Sequence, residues 1–203
     1  MKRLTYQVKK VIFSSLSDVK WHGWRHPFWI TVGAPTFRLK GPHYREVEKL
    51  VRPGDPLVRR FDGFLNTLAI PGWWNHVGIY VGGGMVVHAV REGVVLIDLI
   101  DFMRTDHLIV LRFVESGDDW VRYAVKTVKA LERAKIKYDF AFDFLDPARN
   151  CCTELAMRAY PNVIRPKRRW GRWMVVPDDI VALAESAQGS DKFRVVWDSR
   201  KIR

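Results

Sequence analysis

An α+β fold is predicted, on three observations. Short β-branched runs separated by turn residues crowd the middle of the chain, helix-patterned segments follow them, and the 203 residues suffice for one core but not two. Hydrophobic residues make up 48% and charged residues 28%, an ordinary globular balance with no low-complexity tract or internal repeat, so disorder is expected only at the ends. The expected organisation is an amphipathic N-terminal helix or arm over residues 1–20 and a single domain over 21–203.

Each element follows from local pattern. Apolar residues at 4, 8, 11, 12, 16 and 19 recur at helical spacing, with lysines and serines on the other face. A strand is expected around Trp29 to Val32. Arg52-Pro53-Gly54-Asp55 reads as a turn that opens a strand from Pro56 to Arg60. Ile70-Pro71-Gly72 then leads into His76 to Val81, a triple-glycine turn, Met85 to Val90 and Val94 to Asp98, which together form an antiparallel meander. A strand from His107 to Phe113 precedes a helix from Asp118 to Lys135, whose acidic start suits the positive end of the dipole. Further helices are expected over Cys152 to Tyr160 and from Pro177-Asp178-Asp179 onward, and a last strand over Phe193 to Trp197.

Composition narrows the function. The two cysteines, Cys151 and Cys152, are adjacent, so a mutual disulfide would be strained and would close no useful loop. His22, His26 and His43 lack a regular ligand spacing, and no metal site is expected. The longest apolar run near the N-terminus, Val11-Ile12-Phe13, is too short for a signal-peptide core or a membrane span; the expected location is the cytoplasm, or an envelope or virion reached by another route. A net charge of +12 attracts anionic surfaces of any kind: nucleic acid, acidic lipid or an anionic wall polymer. Its densest cluster, Arg165, Lys167, Arg168, Arg169 and Arg172, is interleaved with Trp170 and Trp173. Such interleaving suits base stacking or a membrane interface, and the plainer alternative is a solvated basic loop on a packed Trp anchor.

Chemistry is concentrated in three residues. Cys152 opens a helical segment, where the dipole and free amides favour a thiolate and can stabilise an oxyanion beside the sulfur. A neutral imidazole could take the thiol's proton, and a second polar group could fix that imidazole's tautomer. His76 and His88 stand on adjacent strands at an even offset, compatible with one face of the sheet if the turn keeps the phase. A buried small cysteine and two core histidines are the alternative. Asp139 is read as a turn or cap, Phe140, Phe142 and Phe144 as packing, Asn75 as a turn residue or site neighbour, and Glu154 as structural.

The stretches PGDPLVRR, NHVGIYVGGGMVVHAV, KYDFAFDF, CCTELAMRAY and VVPDDIVAL resemble, in order, the motifs of the permuted papain-like YiiX/YaeF family of the NlpC-type cysteine peptidase and amidase superfamily, over roughly residues 50 to 185. The resemblance implies a circularly permuted papain-like fold: an antiparallel sheet or barrel packed against helices, with the catalytic cysteine at a helix N-terminus. It implies Cys152 as nucleophile with Cys151 a bystander, His76 as base, and no cofactor. His88 stands where an acidic residue is commoner, which is similar to the lecithin:retinol acyltransferase branch. The expected function is therefore a cysteine hydrolase, an amidase or peptidase acting through a Cys152-His76-His88 triad, with cell-wall peptide as a substrate class. A lipid thioesterase, phospholipase or acyltransferase is the alternative enzyme, and a non-catalytic assembly or virion component that binds nucleic acid or membrane is the alternative of another class. The expected partners are thus a peptide or acyl substrate and an anionic surface.

Overall fold

The structure is a computed structural model describing residues 6–16, 19–21, 30–32, 37–63, 70–114, 118–144, 146–185 and 192–202. His22, His26 and Trp29 lie outside the described residues. The N-terminal helix α1 spans Tyr6–Leu16; Val19 and Lys20, expected at its end, instead begin strand β1 (Val19–Trp21), paired antiparallel with β2 (Ile30–Val32). Helix α2 (Gly41–Leu50) follows, with a proline in its first turn and the Lys40 amide donating to His43 Nδ1 at 3.0 Å.

The framework is a six-stranded antiparallel sheet in the order β12-β7-β3-β4-β5-β6, formed by β3 (Pro56–Arg60), β4 (His76–Gly82), β5 (Met85–Val90), β6 (Gly93–Asp98), β7 (His107–Phe113) and β12 (Phe193–Asp198). It is open and does not close into a barrel. The strands β4, β5 and β7 are largely apolar and buried because both faces are covered there, whereas the second half of β6 alternates toward solvent. Helices α4 (Asp118–Arg133), α5 (Cys152–Ala159) and α6 (Pro177–Glu185) lie on one side, where Val77, Ile79, Val87, Ile109 and Leu111 meet Ala124, Val128, Leu155, Ala156 and Ile180. On the other side α2 and the short α3 (Leu99–Phe102) cover Leu57, Tyr80, Val86, Leu108 and Val110 with Val47, Leu99 and Phe102. Two small pairs complete the molecule: β8 (Lys137–Tyr138) parallel to β9 (Arg149–Asn150), and a hairpin of β10 (Lys167–Arg169) and β11 (Arg172–Met174).

The basic cluster forms that hairpin. Its turn is Trp170-Gly171, both at positive φ (50° and 76°), and Trp170 is 77% exposed while Trp173 is 56% exposed. The packed Trp anchor considered above is therefore not what forms. The hairpin is held instead by the Asp179 carboxylate, which takes a two-pronged bond from Arg169 at 2.7 and 2.8 Å, Lys167 at 2.8 Å and the Val176 amide at 3.0 Å. Burial alone would raise the Asp179 pKa, but these donors outweigh it and hold the carboxyl below its ordinary value.

Candidate active site

The β4–β5 hairpin decides whether two histidines meet. Gly83 and Gly84 form its two-residue turn at φ 63° and 74°, a backbone that only glycine adopts without strain. With the turn pairing Gly82 to Met85, a regular ladder would set His88 opposite Ile79, on the face away from His76. A bulge at Val81 shifts the register, so that Tyr80 pairs with Val86 and Gly78 with His88. His88 thereby joins His76 on one face, and His76 Nε2 lies 3.0 Å from His88 Nδ1. With this two-residue turn the even offset alone would put the rings on opposite faces, and the bulge supplies the phase that brings them together.

Phe102 of α3 forms the floor of the pair, its ring centroid 5.9 Å from His76 and 5.5 Å from His88. It fits there because residue 78 has no side chain: a Cβ at Gly78 would lie 2.7 Å from both the Phe102 ring and Val86. Gly78→Ala is therefore expected to tilt Phe102 and separate the imidazoles. The cost is on the order of 1–3 kcal/mol of stability, as for other overpacked cores, with a larger fractional loss of activity. Thermal unfolding alongside turnover checks this; an unchanged melting temperature would show that Phe102 moves freely.

Cys152 arrives from the other side. The β4–β5 ladder ends at Gly78 and His88, so residues 76 and 77 and residues 89 and 90 continue without pairing each other. The first residue of α5 is set into this gap: the backbone amides of Val77, Thr153 and Cys152 itself are turned to the sulfur. The helix start is fixed by a capping arrangement in which the buried Glu154 accepts the Cys151 amide at 2.7 Å, while Cys151 Sγ lies 3.3 Å from Thr153 Oγ1. Glu154 is thus structural, and burial pushes its carboxyl up to about 7.

Burial dominates the electrostatics. It pushes the Cys152 thiol up to about 11, against the lowering effect of those amides and of the Arg59 guanidinium. The helix terminus alone suggests a thiolate; in the free protein the low dielectric outweighs it, because Cys152 is only 5% exposed. His76 is held well below its ordinary pKa, and His88 at about 3, by burial first and by Arg59 second, with His88 adding to the effect on His76. The resting protein therefore holds a neutral thiol at Cys152 and two neutral imidazoles at His76 and His88. Among the described residues no hydrogen bond joins Cys152 Sγ to either ring.

These shifts carry a stability signature. An unfolded histidine titrates near 6.5, whereas His88 stays neutral in the fold down to about 3, so below pH 6.5 the unfolded chain binds more protons than the folded one. Stability is present above the unfolded pKa and falls as pH drops from about 6.5 toward 3, by about 1.4 kcal/mol per pH unit per histidine. Melting temperatures from pH 7 to pH 4 should decline accordingly, and the decline should be shallower in His88→Asn. Parallel curves would place the acid sensitivity elsewhere.

The remaining expected residues act structurally. Asn75 clamps Phe61, accepting its amide at 3.3 Å and donating to its carbonyl at 3.1 Å, which fixes the approach to His76. Asp178 accepts the Trp73 and Trp74 amides at 3.0 and 2.9 Å and so ties the same approach to α6. Asp139 accepts the amides of Ala141 and Asp143 as a turn cap. Phe140 is buried and Phe144 packs against the core. No group of three His, Cys, Asp or Glu side chains among the described residues is placed to hold a metal ion.

One residue was missed. Arg59 pairs in register with His76, is 7% exposed, and lies over the Phe61 and Phe102 rings at 4.6 and 4.1 Å from their centroids. Its signal was present in PGDPLVRR: an arginine that directly follows Leu57 and Val58 in a strand buried as far as residue 59.

Residues 51–187 match the family described as permuted papain-like amidase enzyme, YaeF/YiiX, C92 family. The match covers more than half of the chain, which therefore belongs to that family of amidases, a class of hydrolases. Comparison with curated proteins and with solved structures found no match.

Proposed function

We propose that the protein is a cysteine amidase in which Cys152 is the nucleophile, His76 the general base and acid, and His88 the residue that orients His76. The observation that carries this reading is the His76–His88 contact across the gap into which α5 delivers Cys152. His76 Nε2 faces His88 Nδ1, and in this reading the shared proton is assigned to His76. That leaves His76 Nδ1 with a lone pair to receive the thiol proton. His88, neutral throughout the working range, accepts through Nδ1 and holds this tautomer.

In the reaction the sulfur attacks the amide carbonyl as its proton passes to His76 Nδ1. The contact between them closes in the substrate complex, where catalytic hydrogen bonds commonly tighten. The amides at the start of α5 face the developing oxyanion. His76 then gives its proton to the departing amine as the C–N bond breaks. Water, deprotonated by His76, resolves the thioester and restores the thiol.

Amide or isopeptide links in wall peptide are the substrate class we put first, because the family is one of amidases and a net charge of +12 suits an anionic envelope. One observation supports lipid acyl chemistry as a second reading: the exposed Trp170 and Trp173 and the exposed Val8, Val11 and Ile12 of α1 are the residue types that enter a membrane interface. No described helix is long and apolar enough to cross a membrane. Wall peptides and short acyl lipids assayed in parallel, with Cys152→Ala as the control, test both readings. Release of amine lost in the control supports the amidase, and release of fatty acid alone overturns it in favour of the lipid reading.

A further inference from the structure

A charged side chain lies in this site without a counterion. Arg59 donates from Nη1 to the Phe102 carbonyl at 2.5 Å, and its buried Nε has no hydrogen-bond partner among the described residues. No carboxylate among them forms an ion pair with it, and the ionisable groups around it are Cys152, His76 and His88. Burying a guanidinium costs several kcal/mol unless an anion and hydrogen bonds compensate. Here the two aromatic rings supply only a face, and the Phe102 carbonyl takes one end of the fork. The Nε edge, the side of a guanidinium that pairs with planar oxyanions, is buried without a partner, and the charge it carries acts on Cys152.

We propose that Arg59 is the receptor for a carboxylate carried by the substrate close to the carbonyl that Cys152 attacks. This rests on Cys152 being the nucleophile, as proposed above, and narrows the substrate class to amides with a free carboxylate near the scissile bond. A second consequence concerns the histidines. Arg59 is one of the charges that hold His76 and His88 neutral, so a carboxylate seated on it raises their basicity only once substrate is present. The base is then strengthened by the substrate itself.

The probe is a pair of alkylating agents of the same size, anionic iodoacetate and neutral iodoacetamide. In both, the Cys152 thiolate displaces iodide, so the ratio of their rates does not depend on how much thiolate is present. Rates at Cys152 are read by peptide mass spectrometry at pH 8 and each is divided by that of a free thiol such as N-acetylcysteine. The normalised ratio is expected to favour iodoacetate by about ten- to a hundredfold in the native protein, the range of one or two charge-assisted hydrogen bonds. It should fall to near one in Arg59→Met and most of the way in Arg59→Lys, which keeps charge but not the fork. Arg168→Gln, which removes an exposed charge on the β10–β11 hairpin, should leave it unchanged. Sodium acetate should also slow iodoacetate at Cys152 in the native protein more than it slows iodoacetamide, a readout independent of whether any variant folds. A native ratio near one, or a preference lost equally in Arg168→Gln, overturns the Arg59 assignment while leaving the nucleophile intact. Inertness of Cys152 to both reagents would instead overturn the nucleophile.

Discussion

Cys152→Ser is expected to lose amide hydrolysis by at least about a thousandfold while its melting temperature changes little. The hydroxyl keeps an acceptor where the Val77 amide points, so no buried donor is left unpaired, whereas alanine would leave one at a cost of about 1–3 kcal/mol. What serine lacks is the polarisable nucleophile that a neutral imidazole can deprotonate at this depth. Cys151→Ser provides the contrast: its sulfur faces Thr153 Oγ1, its thiol is pushed well up by burial, and the variant's activity should be close to native. His76→Ala should lower acylation by roughly 10²–10⁴-fold, the usual range for a positioned base. Rates measured in the three variants, with melting curves to confirm the fold, decide the matter. Equal losses from Cys151→Ser and Cys152→Ser would mean that the helix start, rather than one thiol, is what matters.

The largest loss of stability is expected at Asp55. Its carboxylate is 2% exposed, receives Arg112 Nε and Nη2 at 3.0 and 2.6 Å and the Arg52 amide at 2.8 Å, and closes the turn that opens β3. Arg112 also donates to the Leu50 carbonyl at the end of α2, so one carboxylate joins α2, β3 and β7. Asp55→Ala leaves the guanidinium half-buried without its anion, at a cost of about 3–5 kcal/mol. For a chain of this size that is roughly 6–20 °C in melting temperature. Asp55→Asn, which can still accept the Arg52 amide, should lose less. A shift below about 1 kcal/mol in Asp55→Ala would mean that water replaces the pair.

Much of the sheet was legible because its strands are short apolar runs bounded by turn residues: β3, β5 and β7 form over the residues that their sequence suggests. Other elements were hidden for physical reasons. Gly41-Pro42 reads as a turn, yet proline in the first turn starts α2, and burial of Val47 against the sheet completes it. The β10–β11 hairpin forms from charged residues because Asp179, remote in pattern, neutralises Arg169 and Lys167. Within the site, the histidines and the helix-terminal cysteine were visible as residue types, but their phase depended on a bulge at Val81 that no local pattern announces. The protonation state was also out of reach: a helix N-terminus argues for a thiolate, and only the depth of Cys152 shows that burial prevails in the resting protein. Family membership accounts for the order of the motifs and for hydrolase chemistry; the roles of Cys152, His76 and His88 are inferred from their placement.

The most direct measurement is to mix the protein with p-nitrophenyl acetate, an ester surrogate for the amide, quench it early, and map the acetyl group by peptide mass spectrometry in the native chain and in His76→Ala. The account predicts a burst of nitrophenolate of one equivalent per chain, an acetyl thioester on Cys152 and none on Cys151, and a burst slowed by roughly 10²-fold or more without His76. Acetylation spread over surface lysines, with Cys152 unmodified and no change in His76→Ala, would contradict it.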